Sequence, residues 1–369
     1  MAYHLFPSYM EVSPDQQTDA KECPLSIRRN QEIQNLMRIC VVGHSLIHPR
    51  QYRFFDYWAS HGAEILQIYP GAWGNLFREG GYRMTTANPY TRELDTNVAI
   101  FPAHAIQAVT EFKPDIIYIQ QEYYSPITRQ FFALGKKLDA RLVVFIWENL
   151  PGRYGYFERK MIADTDFIIC GNREAEELVH DYNENTEVMP QVGVDTDLFK
   201  PLDDEKEKYG GYNFRSYDLV FVGRAKEEKG RPLIQRGVLE RSSYTLLDIV
   251  NLEYGKMPLA YNQAKVHVSP TLDTDHWKEQ WLSFAHAEAL SCGLRCIGSD
   301  TRAVVEYGSA IPHFYICKMG DQESLLDSVR TATADWKPNL DGRQYIIDTF
   351  GYEAMRLKLM EVFKGEENG

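Results

Sequence analysis

Gln280-Trp-Leu-Ser-Phe-Ala-His-Ala-Glu288 runs on into Ala289-Leu-Ser-Cys-Gly293-Leu-Arg-Cys-Ile-Gly-Ser-Asp300. The stretch joins a polar pair to a helix that stops at a glycine and leads into a short apolar strand. A helix starting near Ser283 leaves the N–H groups around Leu282, Ser283 and Phe284 without helical partners, an arrangement that suits phosphate oxygens lying across the helix end. Glu288, farther along, can accept hydrogen bonds from ribose hydroxyls. The same letters also describe an ordinary amphipathic helix with one surface Glu followed by a buried strand, a pattern found in most α/β domains.

Two more segments narrow the choice. Tyr217-Asp-Leu-Val-Phe-Val-Gly223-Arg224-Ala-Lys-Glu-Glu-Lys229-Gly230 reads as an apolar strand, a Gly turn, two cations and a helix start. Taken alone, its mixed charges also fit a solvated loop. Asp166-Phe-Ile-Ile-Cys-Gly-Asn172 and a polar helix through Val179 lead to Gly193-Val-Asp195-Thr-Asp-Leu-Phe199-Lys-Pro201.

Together and in this order, over about residues 38 to 360, these segments resemble family 4 of the retaining glycosyltransferases (glycosyl transferases group 1). The resemblance implies an α/β chain of GT-B architecture, two Rossmann-like domains facing across a cleft. The first segment resembles the family's E-x7-E signature, with Gln280 in place of the first Glu and Glu288 meeting the donor ribose. The second resembles V-G-R-x4-K-G, which implies that Arg224 and Lys229 grip the donor diphosphate beside Gly223. The third resembles the hinge between the domains. Family precedent further implies front-face displacement, in which the departing phosphate oxygen helps to remove the acceptor proton.

The chemistry has a need for such residues, because negative charge grows on a nucleoside diphosphate as the glycosidic bond breaks. An Arg fork takes phosphate bidentately and a Lys adds a compact charge. Together they can replace a metal, and no cofactor is expected beyond the substrate, a UDP- or GDP-sugar. The D-x-D triplet Asp273-Thr-Asp275 could hold Mg²⁺ or Mn²⁺. A second copy, Asp195-Thr-Asp197, shows how cheaply the triplet arises.

On the acceptor side, Gly43-His44-Ser-Leu-Ile-His48 follows the first strand, at the sheet edge that normally faces a ligand. Gly43 is expected to bind the donor, because close approach of the backbone to a phosphate or sugar tolerates no side chain, and His44 next to it is expected on the acceptor or sugar; an ordinary surface loop and a two-His metal pair are the other readings. Gln120-Gln121-Glu122-Tyr123-Tyr124 and Trp147-Glu148-Asn149 offer the carboxylates, amide and aromatic faces that bind sugars. Glu122 or Glu148 can orient the acceptor hydroxyl or take its proton. A structural network joining the two strand ends is the competing reading. His286 is expected to pack inside. Glu279, next to Gln280, would become the first acid only by a one-residue shift that misaligns Glu288.

At 369 residues the chain exceeds what one core usually supports. The expected division is an extension over 1–36, an acceptor-side domain over 37–201, a nucleotide-sugar domain over 202–345 and a helix over 346–369 returning to the first domain. A formal net charge of −12, with neither half basic, speaks against nucleic acid. With no apolar run of spanning length and no signal-peptide core, a cytoplasmic protein is expected, with room for peripheral membrane contact. Six scattered cysteines fit buried free thiols. The interval from Lys229 to Pro270 is short for the family, so one β-α unit is expected to be missing, together with a turn that often borders the nucleobase. The sugar, base, acceptor and oligomeric state stay open. A sugar-nucleotide epimerase, a phosphorylase and a noncatalytic nucleotide-sugar binder or regulatory subunit of a glycosyltransferase complex are the alternatives.

Overall fold

The computed structural model describes residues 37–87, 95–202, 214–224 and 226–365. The extension expected over 1–36, with Cys23, and the charged stretch and Gly-Gly-Tyr turn within 203–213 lie outside the described residues.

The first sheet is built from β1 (Arg38–Val42), β2 (Glu64–Ile68), β3 (Ile116–Gln120), β4 (Arg141–Ile146), β5 (Phe167–Cys170) and β6 (Thr186–Val188). They lie in the order β6-β5-β4-β3-β1-β2, with every pairing parallel. The central strands are nearly unbroken apolar runs because helices cover both sheet faces. Between them run α1 (Pro49–Ser60), α2 (Ala103–Phe112), α3 (Pro126–Leu138), α4 (Tyr156–Ala163) and α5 (Arg173–Val179). Helix α1 begins on a proline, whose missing N–H costs nothing there, and buries Phe54, Phe55 and Trp58 on one face.

The second sheet has, among the described residues, five parallel strands: β7 (Tyr217–Val222), β8 (Leu246–Ile249), β9 (Ala264–Ser269), β10 (Arg295–Ser299) and β11 (Phe314–Cys317). Their order is β8-β7-β9-β10-β11. The connecting helices are α6 (Arg231–Gly237), α7 (Met257–Asn262), α8 (Phe284–Ser291), α9 (Arg302–Gly308) and α10 (Gln322–Thr333). Between α6 and β8 there is only a short 3-10 turn at Leu239–Arg241, so the second sheet has one strand fewer than the first.

Two final helices, α11 (Leu340–Phe350) and α12 (Tyr352–Lys364), close the described chain. Helix α12 lies on α1, where the Phe363 ring stacks on Trp58 with centroids 5.4 Å apart and meets Tyr118 of β3 edge-on. Each of these fully buried rings contributes about 1.5–3 kcal/mol through removal from water. No described helix is long and apolar enough to cross a membrane, and the five described cysteines are buried and free.

The hydrophobic pattern predicts strands over 38–43, 64–69, 115–120, 142–147 and 167–170 with helices over 49–60, 103–112, 125–137, 154–163 and 172–180, and then strands over 218–222, 245–250, 265–269, 294–298 and 313–317. All of these are present within two residues of these ends, whereas the helix expected over 346–369 begins at Tyr352, after a break at Gly351. Strand β6 was not expected, nor were the two short ladders Ala72–Trp73 with Leu76–Phe77 and Thr85–Thr86 with Ala99–Ile100. Segments of two or three residues are too short to show a period.

In each sheet the chain order reverses once, between β1 and β3 in the first and between β7 and β9 in the second. Beyond the carboxyl ends of these strands a parallel sheet leaves a crevice. Gly43 and Gln121 follow the first pair, and Gly223 and Pro270 follow the second.

Candidate functional site

After β7, Gly223 leads to Arg224, which is exposed. The chain then makes a 3-10 turn at Glu227–Lys229 and enters α6 through Gly230. Gly230 has φ 74°, and a Cβ there would lie 1.8 Å from the Pro270 carbonyl oxygen, so only glycine lets this turn press against the end of β9. The turn directs Lys229 inward, where its Nζ lies 3.1 Å from Glu279 Oε2 and 4.3 Å from the centre of the Trp277 ring.

Glu279 is 6% exposed and is fixed from three sides. Its N–H donates to Asp273 Oδ1 at 2.8 Å, its carbonyl accepts from Asn149 Nδ2 at 3.2 Å, and its carboxylate holds Lys229. Asp273, in the first D-x-D triplet, thereby secures the loop. In the second triplet, Asp195 accepts from Leu198 N at 3.0 Å and pairs with Arg53 at 3.2 Å. Gln280 follows Glu279 with its carbonyl accepting from Asn172 Nδ2 at 2.8 Å.

Ser283 caps α8 with φ 71°, a left-handed conformation rare for a side chain with a Cβ, and its Oγ accepts from His286 N at 3.3 Å. His286 packs inside, as expected, with Nε2 3.1 Å from the Ile297 carbonyl and Nδ1 2.7 Å from the Leu282 carbonyl. Burial pushes its pKa down to about 4, and the nearby Lys229 charge acts in the same direction.

One turn into α8, Glu288 is 1% exposed and both of its oxygens have partners. Arg50 Nε, from the first turn of α1, donates to Oε1 at 2.6 Å, and Tyr261 Oη donates to Oε2 at 3.2 Å. Burial would lower the Arg50 pKa, but the Glu288 carboxylate outweighs it and the net shift is upward. Burial, with the same carboxylate beside it, holds the Tyr261 phenol far above its ordinary value.

On the other side, Gly43 is extended, with φ 174°, so no special backbone conformation requires glycine there. A Cβ would instead come within 3.0 Å of the Gln120 carbonyl oxygen, so the close approach at Gly43 is to the end of β3. His44 Nδ1 lies 2.6 Å from Gln121 Oε1, and its ring is 5.1 Å from Trp73. Burial lowers its pKa.

Glu122 joins the two polar strand ends. Its Oε1 accepts from Trp147 N at 2.6 Å and Glu148 N at 3.0 Å, and its Oε2 accepts from Tyr154 Oη at 2.9 Å. Burial nevertheless pushes its carboxyl up to about 7, with the Glu148 charge adding to the effect against these hydrogen bonds. Glu148 is 8% exposed, accepts from Leu150 N at 3.0 Å and Tyr124 Oη at 3.3 Å, and has Arg153 3.8 Å away.

The structure thus links Glu122 with Glu148, His44 with Gln121, and Asn149 with the loop before α8, while Arg224 stands exposed. Sequence reasoning missed Arg50, Tyr261 and Asn172, and it set Glu279 aside. Only the polarity of the 279–280 pair hinted at Glu279. Nothing local marks Arg50, whose partner is 238 residues away.

The two halves also meet through charges. Lys278 pairs with Glu174 of α5 at 2.6 Å, Arg302 of α9 pairs with Glu177, and Tyr307 Oη donates to the Gly171 carbonyl at 3.2 Å.

Solved structures share this arrangement of two sheets. Sucrose-phosphate synthase from Thermosynechococcus elongatus superposes with a TM-score of 0.63 at 14% identity, covering 89% of this chain and 98% of that one. A glycosyltransferase from Rickettsia africae gives 0.66 at 13% identity, covering 90% and 99%. The chain has the GT-B fold. The Anabaena protein HepE, solved in complex with UDP and glucose, gives 0.59 at 12% identity and covers 89% and 99%. No protein-family model matches the sequence, and no curated protein matches it.

Proposed function

We propose that this protein is a retaining glycosyltransferase, moving a sugar from a nucleotide-diphosphate donor to a hydroxyl of a carbohydrate or glycoconjugate acceptor without a metal. The observation that carries this reading is the convergence at the carboxyl edge of the second sheet. There the Gly223-Arg224 turn follows β7, and Lys229 turns inward onto Glu279, in the loop that leads into the first turn of α8. Two cations and a helix N-terminus are what a departing diphosphate needs.

In this reading the N–H groups of Leu282, Ser283 and Phe284, with Arg224 and Lys229, hold the diphosphate. Glu288 meets the ribose and Gln280 hydrogen-bonds the donor sugar. Gly43 and Gly223 let the backbone come close to the donor, and His44, Glu122, Glu148 and Asn149 border the acceptor or its sugar. Glu122, with its pKa raised to about 7, is suited to orient an acceptor hydroxyl and to exchange a proton near neutral pH.

A second reading, a noncatalytic nucleotide-sugar binder, is favoured by one observation: the Glu279 and Glu288 carboxylates are already occupied by Lys229 and Arg50. The test is hydrolysis or transfer from UDP-, GDP- and ADP-glucose over a panel of sugar acceptors, with and without EDTA, with product anomers read by NMR. Turnover that survives EDTA, retains the anomer and falls about ten- to hundredfold in Arg224→Ala, the range for one charge-assisted hydrogen bond, supports the enzyme. Nucleotide binding without turnover supports the second reading.

A further inference from the structure

Arg50 enters α1 just after the loop that ends β1, and its guanidinium reaches across to the second sheet's α8. Its Cζ lies 4.9 Å from the centre of the Phe284 ring and 5.6 Å from that of Tyr254. Phe284 opens α8 and Glu288 follows four residues later, about 6 Å along the axis. One cation therefore lies between the acid assigned to the ribose and the side chain of the residue that opens α8.

Glu288 is 1% exposed with Arg50 and Tyr261 lying against its two oxygens, so a ribose hydroxyl reaches this buried carboxylate where one of them moves aside. The Arg50 side chain retains 29% exposure. A guanidinium fork fits phosphate as well as it fits carboxylate. A carboxylate, in turn, accepts from hydroxyls as readily as from guanidinium N–H.

Resting on the donor-site reading above, we propose that Arg50 is a third donor-binding cation that changes partners when the donor arrives. Its guanidinium passes from Glu288 to the diphosphate, and Glu288 accepts the ribose hydroxyls in its place. After the exchange the cation still faces an anion, and Glu288 keeps hydroxyl donors from Tyr261 and the ribose. Because Arg50 stands on the first sheet's helix and Glu288 on the second sheet's, the exchange also ties donor recognition to the relative placement of the two halves.

Calorimetric titration of the full chain tests this, using whichever of UDP, GDP and ADP binds the wild type, and its nucleoside. The variants are Arg50→Gln, Arg50→Lys and Glu288→Gln. In Arg50→Gln the nucleoside diphosphate should bind about ten- to hundredfold more weakly. The nucleoside, freed from competition for Glu288, should bind more tightly than to wild type. Arg50→Lys, which keeps the charge, should retain most of the preference for diphosphate over nucleoside, and Glu288→Gln should weaken the nucleoside. Equal losses for both ligands in Arg50→Gln, or no change in either, would overturn the exchange while leaving the donor site standing. A wild type that binds none of the three diphosphates overturns the donor-site reading itself.

Discussion

Replacing Glu122 with Gln should make the protein more stable at alkaline pH, although it removes a carboxylate that accepts three hydrogen bonds. The folded chain raises this carboxyl from its ordinary 4.5 to about 7, chiefly by burial and secondarily through the Glu148 charge. A group raised on folding lends its full stabilisation below the unfolded value, and that stabilisation is lost as pH rises through the folded value. Each pH unit between the unfolded and folded values corresponds to about 1.36 kcal/mol, so from pH 4.5 to pH 8 wild type should lose roughly 2–3 kcal/mol at this site, allowing for its partial exposure. Gln keeps an oxygen for the Trp147 and Glu148 N–H groups and offers an amide N–H to the Tyr154 oxygen, with no charge to desolvate. Thermal unfolding of both proteins at pH 4.5, 6, 7 and 8 is the assay. A domain of 150–250 residues shifts by ~2–4 °C per kcal/mol, so the melting temperatures should nearly coincide at pH 4.5 and separate by roughly 5–10 °C at pH 8, with Glu122→Gln higher. Parallel curves across this range, or a Gln variant that loses ground as pH rises, would refute the reasoning.

Three other perturbations have definite expectations. Glu279→Gln strands Lys229, whose side chain is 16% exposed, and should cost about 2–4 kcal/mol in urea unfolding; a nucleoside diphosphate should then raise the melting temperature more than in wild type, because phosphate replaces the lost carboxylate. His286, buried as the neutral imidazole with its pKa lowered to about 4, supports stability above the ordinary 6.5 and loses that support as pH falls from 6.5 toward 4; His286→Gln should flatten this limb by roughly 3 kcal/mol in acid-side denaturation curves. Gly230→Ala meets both a left-handed backbone and the Pro270 carbonyl, and should cost at least about 1–3 kcal/mol while displacing Lys229, so that weaker nucleotide binding accompanies the lower melting temperature.

The alternation of apolar strands and amphipathic helices was legible residue by residue. Helix α1 over Pro49–Ser60 and strand β5 over Phe167–Cys170 were read with their observed ends, because a proline start and an unbroken apolar run are local signals. The interval from Lys229 to Pro270, read as short, holds α6, β8, α7 and β9 with 3-10 turns between them. Gly43 was read as a place where a phosphate or sugar comes close to the backbone; the neighbour the structure places there is the Gln120 carbonyl on the adjacent strand, which no local pattern names. At 279–280, counting a spacing favoured Gln280, whereas the reach of the side chains puts Glu279 on Lys229.

Strand and helix order, two parallel sheets and the cations after β7 are consequences of local pattern, since hydrophobic period and turn chemistry act over a few residues. Which charges meet is decided by distant parts of the chain. Glu122 binds the end of β4 only once β3 and β4 pair, and Arg50 reaches Glu288 and Asn149 and Asn172 take the carbonyls of Glu279 and Gln280 only once the two sheets are folded against each other. A carboxylate's partner and pKa depend on burial and on charges within a few ångströms in space, and neighbourhood in the chain carries neither.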